Sequence, residues 1–426
     1  MISKINSFSY FKDYSFWILF IILFSSGYVF FKSPFEFYFH YIFLFSLTPF
    51  LIIKFGLPKF YFRLFIIPLT AGLIHLGLGN NITFTFLKIF TGLSITVLFF
   101  YYVLEIYDFN IFSIFEIYCK ASWILCLIAF VQIISFFIGY KDGFNFSWLL
   151  NKWGFVEGGL IGFRVNSILP EPTYLATSLS PAVYISIKNL ISRKSYIFSK
   201  IQSILIILIS ILTTSSIGYL GILLSLILSI NAIRLRYVFF GLIILLFGFT
   251  IAYNNVSDFA NRADSARGLW LENDFSINNT NNSSFVLFNN LHIAKENLKE
   301  HPFFGTGLGS HETAFKKHTL TKSLIQYDFE FNVKDGNSLF VRLCTETGFF
   351  GLGFIIILLF NGFIIKSENI TNDFFEHKMI SQALFIIIIL VLIRQGNYML
   401  NGLPLIFLLY YFNGKQYLEK LSSIDK

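Results

Sequence analysis

Glu171 lies between Pro170 and Pro172, in a stretch that runs from Gly162 through Arg164 to Tyr174. The prolines hold the backbone extended and leave the carboxylate at the mouth of a following helix, where the positive end of the helix dipole favours its ionised form. A carboxylate so placed serves either as a helix cap or as a general base that takes a proton from a hydroxyl. Arg164 either anchors a helix end at a membrane interface by snorkelling or brings a cation to a site. Arg342 and Glu346 form a second constellation. Spaced i and i+4, they can neutralise each other at lipid depth, as an interior structural pair or as part of a wet cavity. Arg394 closes a later apolar run as a further cation near that pair.

The elements that carry these charges are dictated by composition. Of 426 residues, 55% are hydrophobic and only 13% charged, with 57 Phe, and the mean hydropathy is +0.67. A soluble globule of this composition would expose far more apolar area than soluble monomers tolerate, whereas lipid accepts it. An all-α polytopic membrane protein is expected. A bilayer core of ~30 Å needs about 20 apolar residues per helix, and about twelve windows approach that length. They are 16–31, 37–53, 64–78, 82–104, 121–139, 172–190, 201–212, 217–230, 237–253, 338–364, 379–393 and 400–412. The net charge of +8 comes without a basic stripe interleaved with exposed aromatics, so nucleic acid is excluded as a partner and the cations are assigned to orientation and membrane lipid. Cys119, Cys126 and Cys344 form no CxxC spacing and are assigned no chemistry.

Lys54, Lys59 and Arg63, then Arg193, Lys194 and Lys200, then Lys366 and Lys378 fall in alternate connections, which places those connections and the N-terminus in the cytoplasm. Two long segments, 140–171 and 254–337, then share the outer side. The expected organisation is an N-terminal bundle of about nine helices over 1–253, a large, partly helical extracytoplasmic loop over 254–337, and a C-terminal bundle of about three helices with a cytoplasmic tail over 338–426. Within the large loop, 273–284 reads as a polar insert and 285–298 as an amphipathic helix. Pro302 ends that helix, and His301 opens a turn in which Gly305, Gly307 and Gly309 permit backbone conformations closed to other residues. The turn lacks the lysine of a phosphate-binding loop, so nucleotide binding is rejected. His292, His301, His311 and His318 share the loop at spacings that match no established metal-ligand pattern.

Three stretches together resemble the Wzy-type polymerase and O-antigen ligase superfamily: Arg164 to Tyr174, the His301-Pro302-Phe303-Phe304-Gly305-Thr306-Gly307-Leu308-Gly309 turn, and the helix start from Asn337 and Ser338 to Glu346, Gly348 and Gly351. Their order and membrane side match as well. The resemblance implies a glycosyltransferase of GT-C-like architecture in the bacterial cytoplasmic (inner) membrane, multi-pass, with its active site facing outward and no cofactor or metal. It implies that an undecaprenyl-diphosphate-linked oligosaccharide is donor and that a second lipid-linked repeat unit is acceptor, in O-antigen or capsular polysaccharide synthesis. A chain-length regulator and a flippase are the implied partners. Ligases of the superfamily carry a His where this chain has Asn337, which favours a polymerase over an O-antigen ligase. A polysaccharide flippase or transporter is the remaining alternative, against which stands the absence of repeated halves.

On this reading arginines stabilise the diphosphate leaving group and a carboxylate activates the acceptor hydroxyl. Glu171, Arg164, Arg342 and Glu346 are the expected catalytic residues. Arg394, Arg262, Arg267, His301, Asn337 and Tyr174 are the expected substrate-binding residues.

Overall fold

The computed structural model describes residues 9–33, 35–229, 247, 250, 253–254, 257–272, 282–323, 332–365 and 372–424. Helices dominate it: α1 Ser9–Phe24, α2 Phe39–Phe55, α3 Lys59–Gly77, α4 Thr83–Ile106, α5 Ile111–Phe137, α6 Pro172–Ser192, α7 Lys200–Leu212 and α8 Ser216–Ser229. After these come α9 Ser257–Leu271, α10 Asn282–Glu300, α11 His311–His318, α12 Leu339–Gly362, α13 Asn372–Arg394 and α14 Leu403–Ile424. Among the described residues, five helices are long and apolar enough to cross a membrane: α3, α4, α5, α12 and Phe374–Arg394 of α13. Shorter apolar helices add Tyr14–Phe24, Phe39–Phe55, Lys200–Leu212 and Ser216–Ser229. Most of the expected ninth span, 237–253, and most of the polar insert at 273–284 lie outside the described residues.

The bundle is organised around α6. This helix packs against α5, α7, α8 and α13 and is buried almost along its whole length. Ala176, Thr177, Ser178, Ser180 and Ala182 are all buried on it. Small side chains let neighbouring backbones approach closely, which is how helices associate where lipid removes the hydrophobic drive between them. The central helix is therefore the one that Glu171 opens.

One expected run is corrected. The apolar run at 16–31 does not continue as one helix: α1 stops at Phe24, and Val29–Phe31 (β1) pairs antiparallel with Phe37–Tyr38 (β2). The interruption is built from Ser26 and Gly27. Ser26 Oγ donates to Asn401 Oδ1 at 2.9 Å, and the carbonyl of Ile168 comes so close to Gly27 that a side chain there would collide with it. The expected tenth run is present as a helix long and apolar enough to cross a membrane, Leu339–Gly362, and it carries an internal kink. α12 breaks at Gly348, with φ 59° and ψ −152°.

The break in α12 and the glycine turn after α10 fit each other. Thr306 N–H donates to Thr345 carbonyl at 3.1 Å and Gly307 N–H to Glu346 carbonyl at 2.9 Å. In return Phe349 N–H donates to Pro302 carbonyl at 2.8 Å and Phe350 N–H to Phe303 carbonyl at 2.9 Å. A buried helix interruption is tolerable only if its freed backbone groups find partners in protein, and the 302–307 turn supplies them. Gly305 and Gly348 allow the two backbones to touch, since a Cβ at Gly305 would stand 2.5 Å from Thr345 carbonyl oxygen. The helices of the 254–337 segment sit at this junction, with α10 and α11 packed on α12.

Candidate functional site

A cavity of about 520 Å³ opens beside the start of α6, lined by Tyr38, Lys152, Trp153, Gly154, Val156, Arg164, Pro170, Glu171, Pro172, Thr173, Tyr174 and Leu400. Its volume lies in the range of ~300–1,000 Å³ typical of ligand sites. Residues from the β1–β2 hairpin, the 150–174 segment and the loop after α13 meet in it.

Glu171 occupies the N-cap position of α6 with an extended backbone, φ −143° and ψ 155°, and Pro172 follows as the first helical residue. Its side chain makes no capping hydrogen bond. Of the two roles open to this carboxylate, the capping one is not realised, and the group stands exposed at the cavity mouth. Pro172 removes one of the unsatisfied N–H groups of the helix start, and Tyr174 N–H donates to the Glu171 backbone carbonyl at 3.1 Å.

Arg164 is half-buried on the same lining. Its backbone N–H donates to Val156 carbonyl at 2.9 Å, and its Nε donates to the Thr213 carbonyl at 3.2 Å. The segment between Arg164 and Glu171 is pinned from beneath. Asn166 Nδ2 donates to the carbonyls of Gly154 and Leu169, each at 3.1 Å. Gln132, buried on α5, donates to Asn166 Oδ1 at 3.2 Å and accepts from Ser167 N–H at 3.0 Å. A buried polar network of this kind fixes one loop conformation, because each group left unpaired would cost a desolvation penalty.

Tyr174 packs with Tyr38, Val29 and Leu400 in a small apolar cluster beside the cavity. Arg394, at the end of α13, lies within electrostatic reach of both Glu171 and Tyr174. Lys152 is a lining residue that sequence reasoning missed. Its ammonium donates to Tyr38 Oη at 2.5 Å and forms an ion pair with Glu36, while Tyr38 Oη donates to Glu36 Oε2 at 2.6 Å. Burial by itself would raise the Glu36 carboxyl, but the hydrogen bonds from Lys152 and Tyr38 outweigh it and hold the group below its ordinary value.

No protein-family model matches this chain, nor does any curated protein. The site is therefore described by its own geometry.

Arg342 and Glu346 stand apart from the cavity lining. Both are buried, and their charges are consumed by each other and by the loop after α13. Arg342 Nε donates to Glu346 Oε1 at 2.8 Å and Nη1 to the Gly396 carbonyl at 2.8 Å. Tyr398 Oη donates to Glu346 Oε2 at 2.9 Å, and its ring lies 4.3 Å beneath the guanidinium. The pair thus holds the loop that carries Leu400 into the lining. Asn337, at φ 55°, forms the turn before the Ser338 cap of α12, its N–H donating to Asp335 Oδ1 at 3.1 Å.

Other expected binding residues lie elsewhere. His301 faces His75, ring centroids 5.2 Å apart. Arg267 is exposed and pairs with Glu272 at 3.6 Å. Arg262 lies on α9, but its side chain is outside the described residues. Among the described residues, no three His, Cys, Asp or Glu side chains stand close enough to share a metal ion.

Proposed function

We propose that the chain is an outward-facing membrane glycosyltransferase that polymerises undecaprenyl-diphosphate-linked repeat units, within a frame of about twelve spans with the N-terminus in the cytoplasm. One observation carries this reading: an uncapped carboxylate, Glu171, and a guanidinium, Arg164, line one cavity at the mouth of the central helix. In the proposed reaction Glu171 takes the proton from the acceptor sugar hydroxyl. The hydroxyl oxygen bonds to the donor anomeric carbon as the bond from that carbon to the diphosphate oxygen breaks, with inversion. The electron pair leaves on the diphosphate, whose developing charge Arg164 stabilises. Arg394, near Glu171, raises the local positive potential. Arg342 and Glu346 act as positioning residues, since their polar atoms are already engaged.

The test is purified protein in lipid nanodiscs supplied with a synthetic lipid-linked repeat unit. A ladder of longer lipid-linked products supports the proposal. Transfer onto a lipid-A core without elongation would make the chain a ligase, and movement of intact units between leaflets would make it a flippase.

A further inference from the structure

We propose that Lys152 is a further anion-contacting residue of this cavity, and that Glu36 and Tyr38 position its ammonium for the diphosphate of the lipid-linked donor. The identity of the ligand rests on the glycan-transfer reading above; the cation site does not.

The backbone around Lys152 is tied down on both sides. Asn151 grips Val29 of β1, accepting its N–H at 2.9 Å and donating to its carbonyl at 2.5 Å. Lys152 N–H donates to the Gly27 carbonyl at 3.0 Å, and Trp153 Nε1 donates to the Ser167 carbonyl at 2.7 Å. A lysine in an outer loop would ordinarily extend into water. This one is half-buried, lies 4.8 Å from the centre of the Tyr38 ring, and is held by the Tyr38 hydroxyl and the Glu36 carboxylate.

Those contacts engage two of its three ammonium hydrogens, and among the described residues the third has no acceptor. A compact ammonium is a point-charge ligand for phosphate and complements the forked guanidinium of Arg164 on the same lining. A diphosphate diester presents oxygens on two phosphates, which the Arg164 guanidinium and the third ammonium hydrogen of Lys152 can contact together. Glu36 reaches the cavity only through Lys152 and Tyr38, so its part is to place the cation.

Inorganic diphosphate is the probe, titrated against the full chain in nanodiscs of phosphatidylcholine. We expect Lys152→Met to weaken its binding at least about tenfold, Lys152→Arg to stay within about threefold, and Glu36→Gln to raise the donor KM more than it lowers kcat. If Lys152→Met fails to insert, Lys152→Gln replaces it. Equal affinity in the wild type and the neutral variants overturns the proposal, even with an intact product ladder. Lys152-dependent binding without any ladder keeps the cation site and removes the glycan-transfer reading. Loss of diphosphate binding on adding phosphatidylglycerol would assign the site to a lipid headgroup instead, and so overturn it.

Discussion

The Arg342 guanidinium and the Glu346 carboxylate meet at 2.8 Å inside the protein, with Tyr398 completing the carboxylate and the Gly396 carbonyl completing the guanidinium. Removing one member leaves an uncompensated buried charge, which costs about 3–5 kcal/mol. Glu346→Ala should therefore lower the unfolding midpoint in detergent markedly, with activity falling because the 395–402 loop shifts. A variant of wild-type stability that is nonetheless inactive would instead place Glu346 in the chemistry.

Glu171 gives the opposite expectation. Because its side chain caps nothing, Glu171→Gln should change stability by less than about 0.5 kcal/mol, in line with exposed sites. Loss of a general base lowers turnover about 10²–10⁴-fold. Unchanged melting with polymer synthesis reduced on that scale is the expected pair of measurements, and an undiminished rate would remove the base assignment.

Gly348 joins the two halves of α12 at a positive φ, and a Cβ there would stand 2.5 Å from the Pro302 carbonyl oxygen. Strain of that kind costs on the order of 1–3 kcal/mol, and relieving the contact also breaks the hydrogen bonds to the 302–303 backbone. Gly348→Ala should increase proteolytic cleavage after α10 while Gly353→Ala, where a Cβ meets open space, should not.

His311 supplies a pH signature in the 254–337 segment. It is buried, with Nε2 3.0 Å from Asn290 Oδ1 and Nδ1 3.1 Å from Thr345 Oγ1. Asn290 Nδ2 donates to the Val286 carbonyl, which turns the amide oxygen toward His311 and assigns the proton to Nε2. Burial, aided by the positive charge of Arg342, pushes the imidazolium down from 6.5 to about 3. The folded state thus disfavours a proton that the unfolded state accepts. Its stability is fully present above about 6.5 and falls as pH drops from there toward about 3, by at most about 1.4 kcal/mol per pH unit. Amide protection factors across α10 and α11, corrected for the intrinsic pH dependence of exchange, should fall between about pH 7 and 5 in the wild type, and His311→Gln should lose most of that slope. A slope of equal size in the variant would move the effect to another group.

Composition alone dictates a helical membrane chain, because lipid leaves no other home for so many apolar side chains. The run of apolar residues placed most helices to within a few positions, and the prolines around Glu171 announced a helix mouth, since proline acts on its immediate neighbours. What those local rules could not reach was decided by contacts between distant residues. Lys152 meets Glu36 and Tyr38 across more than a hundred positions, and no spacing in the chain marks that encounter. Arg342 and Glu346 were recognisable as a pair at one helical turn, yet only Tyr398 and Gly396 reveal that the pair is structurally occupied. The 16–31 run reads as one span because hydropathy averages over a window, whereas the helix ends at Phe24, just before Gly27 meets Ile168. Patterns along the chain follow from local backbone and solvent preferences, but which groups share a cavity follows from how the helices pack.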